Sequence, residues 1–191
     1  MQQKTVHPVR KAPIVGLTLH QPWAELIVRG PKRIENRDWE LPAYLRGAYL
    51  AIHAGKTLHV DAWRGAHDTA QVAGLLESLP LLRPLTAALA AGGTERQINK
   101  RCKEIVQAAA PYGAIVGVAR IVKCIAGVGA GLGPEPLCAD PWFCGPFGFV
   151  LEDVVAIDPV PMDGKQGLFS LPTQVYRDVR KNWRVAVGGA E

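Results

Sequence analysis

The chain has 191 residues, with 22 Lys and Arg against 17 Asp and Glu. At that length a single domain buries about 70% of its unfolded surface, so the core needs no disulfide or metal staple. No apolar run approaches the ~20 residues of a membrane span, and no apolar segment follows Lys4, Arg10 and Lys11 as a secretory leader requires. The four cysteines, Cys102, Cys124, Cys138 and Cys144, form no CxxC pair and read as reduced thiols of a soluble cytoplasmic protein. The charge excess is local. Residues 1–56 hold nine Lys/Arg against four acids, whereas the remaining 135 residues hold thirteen of each sign. A one-sided excess of this kind is the footprint of a surface that meets phosphates or another polyanion.

In chain order, residues 1–14 lack periodicity and read as a flexible basic arm. One domain, 15–185, follows. Leu17-Thr18-Leu19 reads as a short strand and Gln21–Arg29 as a short helix, with Pro22 suited to its first position and Gly30 to its stop. Trp23, Leu26 and Ile27 share one face of that helix and are expected in the core. Arg33–Trp39 alternates as a strand does, sending Glu35, Arg37 and Trp39 to one side and Ile34 to the other. In the strand Ala48–Ala54, Leu50 and Ile52 face one way and Tyr49 and His53 the other, so His53 is expected to point away from the core. Residues 57–110 turn rich in Ala and Leu and read as a helical excursion between strands, with helices at Asp61–Ala73, Pro84–Ala91 and Thr94–Ala110. Thr94 and Gln97 have the spacing of a capping box. The β-branched run 114–124 is a strand whose Gly117 can mark a bend or bulge. A Gly/Pro loop, a strand at Phe147–Ile157, a last strand or hairpin over 160–169 and a terminal helix at Thr173–Arg184, basic toward its end, complete the chain. This pattern predicts an α+β fold, a small mixed β-barrel flanked by helices.

The densest chemistry lies in Gly30-Pro31-Lys32-Arg33-Ile34-Glu35-Asn36-Arg37. Lys32 is a mobile point charge and Arg37 a planar fork that clamps two oxygens, a combination suited to a phosphate. The plainer alternative is that Arg37 only pairs with Glu35 to satisfy a partly buried turn. Glu35 has three candidate roles: orienting Arg37, accepting from a base amino group, or acting as a general base. Trp39, on the Arg37 face, can stack an unpaired base, and His53 can reach the same cleft from the neighbouring strand. The five histidines have no metal-ligand spacing, and neither a phosphate loop nor a dinucleotide fingerprint is present, so no metal or cofactor is expected.

Five segments in order, Leu-Thr-Leu-His-Gln-Pro-Trp-Ala (17–24), Gly-x-Lys-x-x-Glu-x-Arg (30–37), Ile-His-Ala-Gly-Lys (52–56), Gly-Ala-Ile-Val-Gly-Val-Ala (113–119) and Gly-Pro-Phe-Gly-Phe-Val-Leu-Glu-Asp-Val (145–154), resemble an ASCH domain. That domain takes its name from a transcription coactivator and belongs to the PUA-like superfamily. The resemblance covers roughly residues 15–170 and is compatible with a stand-alone bacterial or phage protein. It implies a PUA-like barrel with a cleft beside the helix-to-strand turn, floored by Lys32, Glu35 and Arg37, and a role with RNA or another nucleic acid. Some bacterial members are linked to nuclease activity, and a short branch to removing an acyl group from modified cytidine. Glu35 stands where that branch has Thr, so the resemblance carries no hydroxyl nucleophile here and leaves Glu35, with Lys32, to activate water. The remaining alternative is a protein-interaction module built on the Trp142-Phe143 loop and the helical excursion.

Overall fold

A computed structural model describes residues 12–58, 83–127, 140 and 142–188. The elements are β1 (Ile14–Gln21), α1 (Trp23–Val28), β2 (Ile34–Arg37), a 3-10 turn (Ala43–Leu45), β3 (Tyr49–Leu58), α2 (Arg83–Ala90), α3 (Glu95–Ala109), β4 (Ala114–Ala126), β5 (Phe147–Pro161), β6 (Leu168–Ser170) and α4 (Thr173–Gly188). The expected arm and the helix at Asp61–Ala73 fall on or mostly within residues outside that description. The two later helices of the excursion are present. Thr94 and Gln97 form the expected reciprocal cap, with Thr94 N donating to Gln97 Oε1 at 2.9 Å and Gln97 N to Thr94 Oγ1 at 3.4 Å.

The strands form one six-stranded sheet in the order β2-β5-β4-β3-β1-β6. β1 and β3 run parallel, with Ile14 opposite Tyr49 and Thr18 opposite His53, and the other pairs are antiparallel. Of the expected small mixed β-barrel flanked by helices, the mixed sheet and its helices are present; among the described residues β2 and β6 are the sheet's edges and no backbone ladder closes it. The sheet nevertheless curls enough for one side chain to span the gap, because Arg37 of β2 donates Nη2 to the Thr18 carbonyl of β1 at 3.1 Å. Residues 160–161 extend β5, and the short β6 pairs with β1 instead of forming a hairpin with it.

Each face of the sheet has its own core. On one, Leu17, Leu19, Leu50, Ile52, Phe149 and Leu151 pack with Ala24, Ile27 and Val28 of α1. On the other, Ile14, Ala51, Ile115, Val118 and Ile157 pack with Val179 and Trp183 of α4. Large apolar side chains buried this fully stabilise by about 1.5–3 kcal/mol each. Gly117 lets α1 approach: a Cβ there would lie 2.6 Å from Val28 Cγ2. The pairing slips beside it, as the bulge reading requires. Glu152 and Asp153, unexpected inside a strand, each meet Arg120 of β4 at 2.8 Å. No helix among the described residues is long and apolar enough to cross a membrane.

Candidate functional site: a basic cavity at the sheet rim

The turn between α1 and β2 is built mainly inward. Arg33 donates Nη1 to the carbonyls of Ile27, Gly30 and Lys32, closing the C-terminus of α1. Lys32 is buried, 3% exposed, and donates Nζ to the Ile34 carbonyl. Its ammonium lies 5.9 Å from the centre of the Trp23 ring and 6.0 Å from that of Trp142, a cation held between two indoles. Trp23, expected in the core, is half-buried and serves as one wall of this slot. Burial lowers the Lys32 pKa, opposed first by the nearby Glu35 carboxylate. Glu35 is also buried, and burial raises its pKa while Lys32 and Arg37 pull it down.

Arg37 is the member of the motif that lines a cavity. Its Nη2 lies 3.1 Å from Glu35 Oε1 and also donates to Thr18 O. It lines an open cavity of about 550 Å³ with Thr18, His20, His53, Gly55, Lys56, Thr57 and the 163–167 loop, which contributes Asp163, Lys165 and Gln166. Arg37, Lys56 and Lys165 thus face one carboxylate, Asp163, which is exposed and 3.4 Å from Lys56. The loop is fixed at the rim by Lys165 N donating to Thr18 Oγ1 at 3.1 Å. Gly164 sits so close that a Cβ would lie 2.8 Å from His53 Cε1 and 2.9 Å from Thr18 Oγ1.

The expectation that His53 points away from the core holds for its strand face and fails for its exposure. His53 leaves β3 opposite Leu50 and Ile52, yet it is 1% exposed, because the 162–164 segment folds over it. Its Nε2 meets the Met162 carbonyl at 3.0 Å, which requires the proton on Nε2 and leaves Nδ1 bare. Burial lowers its pKa, against the Met162 hydrogen bond and Asp163. Two buried nitrogens of cavity-lining residues, Arg37 Nε and His53 Nδ1, have no hydrogen-bond partner.

The structure therefore brings Arg37 and His53 together and places Lys32 and Glu35 behind them, outside the cavity lining. Trp39 packs its ring edge-on against Phe149, centroids 5.1 Å apart, at the border of the core. Tyr49 lies under α4, 4.6 Å from the Trp183 ring, and not at the cavity. Trp142, expected on an interaction surface, is 7% exposed. Its loop is pinned to β2 by Asn36, which donates to Trp142 O and accepts from Cys144 N. Sequence reasoning missed Thr18, His20, Lys56 and the 163–167 loop as lining residues. Lys56 closes the Ile-His-Ala-Gly-Lys segment, and Gly164-Lys165-Gln166-Gly167 places a cation between two glycines, so both signals were present. Among the described residues no group of three or more His, Cys, Asp or Glu is arranged to hold a metal ion. Cys102, Cys124 and Cys144 form no disulfide among the described residues, and Cys138 lies outside them.

The ASCH domain family model matches residues 17–128, more than half of the chain. The chain belongs to the ASCH domain family. Over 40 residues this ASCH protein is 50% identical to Activating signal cointegrator 1 of Mus musculus, a stretch that is 21% of this chain and 6% of that protein. It is also similar to the crystal structure of ASCH from Zymomonas mobilis, with 15% identity, TM-score 0.44, and 88% of this chain and 94% of that chain covered. A point mutant of the Zymomonas protein matches at 16% identity and TM-score 0.42, with 88% and 94% covered.

Proposed function

We propose that this protein binds single-stranded nucleic acid, RNA or a nucleotide unit of it, through the rim cavity. The observation that carries the reading is the cavity's charge: Arg37, Lys56 and Lys165 face a single exposed carboxylate in a space of about 550 Å³. Membership of the ASCH family supports the same reading. Arg37 acts as the anchor, its fork steadied by Glu35 and the Thr18 carbonyl, and Lys56 and Lys165 add mobile positive charge at the mouth. Glu35 works from behind, holding Arg37 in place, and Lys32 braces the turn through the Ile34 carbonyl. His53 forms the floor and Trp39 steadies the base of the turn, so stacking on Trp39 is a minor contribution.

The test is a titration with short single-stranded RNA. Arg37→Ala is expected to weaken binding by about 10- to 100-fold, the value of one or two charge-assisted hydrogen bonds. Wild-type affinity for RNA in the variant would contradict the reading.

A second reading, hydrolysis of RNA or a modified nucleoside, is favoured by one feature: burial drives the Lys32 and Glu35 pKa values toward each other, as acid-base pairs require. Glu35 would then activate water beside Lys32. Product formation that survives Glu35→Gln unchanged would remove it.

A further inference from the structure

Helix α4 carries four cations and one acid in its sixteen residues. The acid, Asp178, is engaged by Gln174, whose Nε2 donates to both carboxylate oxygens at 3.0 and 3.2 Å. The cations are not scattered. Arg177, Arg180, Lys181 and Arg184 fall at i, i+3, i+4 and i+7, which places them within an arc of about 100°. Val179 and Trp183, the buried anchors of the helix, lie on the far side of it. Arg177, Lys181 and Arg184 are exposed and make no ion pair among the described residues. With Tyr176 and Val185 the four cations line a shallow cavity of about 540 Å³. Arg180 is held in the wall of that cavity, over the Tyr176 ring at 5.7 Å and donating to its hydroxyl at 3.3 Å. Like charges gathered on one helix face repel one another, so the fold gains nothing by placing them there, and a polyanion is the partner that relieves the repulsion.

The position of the stripe relative to the rim cavity gives the ligand a length. Arg180 and Trp183 close a small pocket with Ile14 and Tyr49, at the start of β1 and β3. Thr18 and His53, four residues further along the same two strands, border the rim cavity. Four residues of strand span roughly 13 Å, and all four side chains leave the sheet on the face that α4 covers. A mononucleotide fills one site and cannot reach the other, whereas an oligonucleotide reaches both.

We infer that the Arg177, Arg180, Lys181 and Arg184 face of α4 is a second nucleic-acid contact, gripping the phosphate backbone of a strand whose other part lies in the rim cavity. This inference rests on the proposed cavity function for its geometry and not for its charge. Backbone contacts of this kind supply affinity without sequence preference, and their number sets the salt dependence.

The test is the triple variant R177Q/K181Q/R184Q. All three positions are exposed, so helix content is expected to match wild type by circular dichroism. Both proteins are titrated with a single-stranded RNA dodecamer and with adenosine monophosphate between about 50 and about 200 mM salt. The slope of log K against log salt for the dodecamer is expected to become shallower by about 2, since each lost single-strand phosphate contact removes about 0.7. Binding of the mononucleotide is expected to stay unchanged. An unchanged dodecamer slope overturns the inference. So does a loss seen with anionic lipid vesicles but not with RNA, which would make a membrane surface the partner. Failure of the cavity reading is distinguishable: it shows as Arg37→Ala binding the mononucleotide like wild type, while the α4 slope change persists.

Discussion

Two groups of cations, one at the turn before β2 and one at the rim cavity, differ in where their donors go, and the contrast between them is instructive. Behind the sheet rim, Lys32 and Arg33 spend their donors on backbone carbonyls, with Lys32 enclosed by two indoles. At the rim, Arg37, Lys56 and Lys165 line an open cavity. In sequence Arg37 shares one basic motif with Lys32 and Arg33, whereas Lys56 and Lys165 come from distant segments. Lys32, which is buried, and Arg33, which is exposed but bound to backbone carbonyls, hold the turn, whereas Arg37, Lys56 and Lys165 open onto the cavity, so where the donors point and not charge assigns the role.

The largest effect that sharpens this comparison is expected at Lys32. Lys32→Ala removes the filling between Trp23 and Trp142 and a buried cation near Glu35, and leaves the Ile34 carbonyl without its Lys32 donor. A loss of about 2–5 kcal/mol in urea unfolding is expected. A loss below about 1 kcal/mol would place Lys32 with the ligand-facing cations instead.

An intermediate effect is expected at Gly164. In Gly164→Ala the new methyl meets His53 and Thr18 below 3.0 Å, forcing the 163–167 loop outward at a cost of about 1–3 kcal/mol. Nucleotide binding should weaken with it, because Lys165 loses its seat on Thr18. Unchanged stability and unchanged binding together would show that the loop does not shape the cavity.

The smallest effect is one of pH. Burial holds the His53 pKa in the fold below its ordinary value of 6.5. As pH falls below about 6.5 the unfolded chain takes up a proton that the fold still refuses, so stability declines through that window. Once the folded-state value is passed the contribution is gone. Urea unfolding of wild type and His53→Phe across that window should give a flatter profile for the variant, and parallel profiles would remove His53 as the source.

Much of the fold was legible because its determinants are local. The β-branched run of β4, the capping box of α3 and the break at Gly30 each depend on residues a few positions apart. The pairing of Glu35 with Arg37 also followed from strand alternation, and Arg37 and His53 line the same cavity. The misses are all long-range. Lys32 is buried because Trp142, 110 residues later, folds over it. His53 is covered by a segment beginning at Met162, and Lys165 reaches the site by seating its amide on Thr18, 147 residues away. Nor does a strand pattern state whether the first and last edges of a sheet join, and here a single arginine contact links edge strand β2 to β1. The basic stripe on α4 escaped the charge tally because acids elsewhere in residues 57–191 balance it.

The central claim is that the rim cavity, and not the buried cluster behind it, meets the ligand. Backbone amide chemical shifts recorded during titration with a ribonucleoside 5′-monophosphate test it most directly. The account predicts the largest changes at Thr18, at His53–Thr57 and at Asp163–Gly167, with Trp23, Lys32 and Trp142 nearly still. Changes concentrated on Trp23, Lys32 and Trp142, with a silent 163–167 loop, would contradict it.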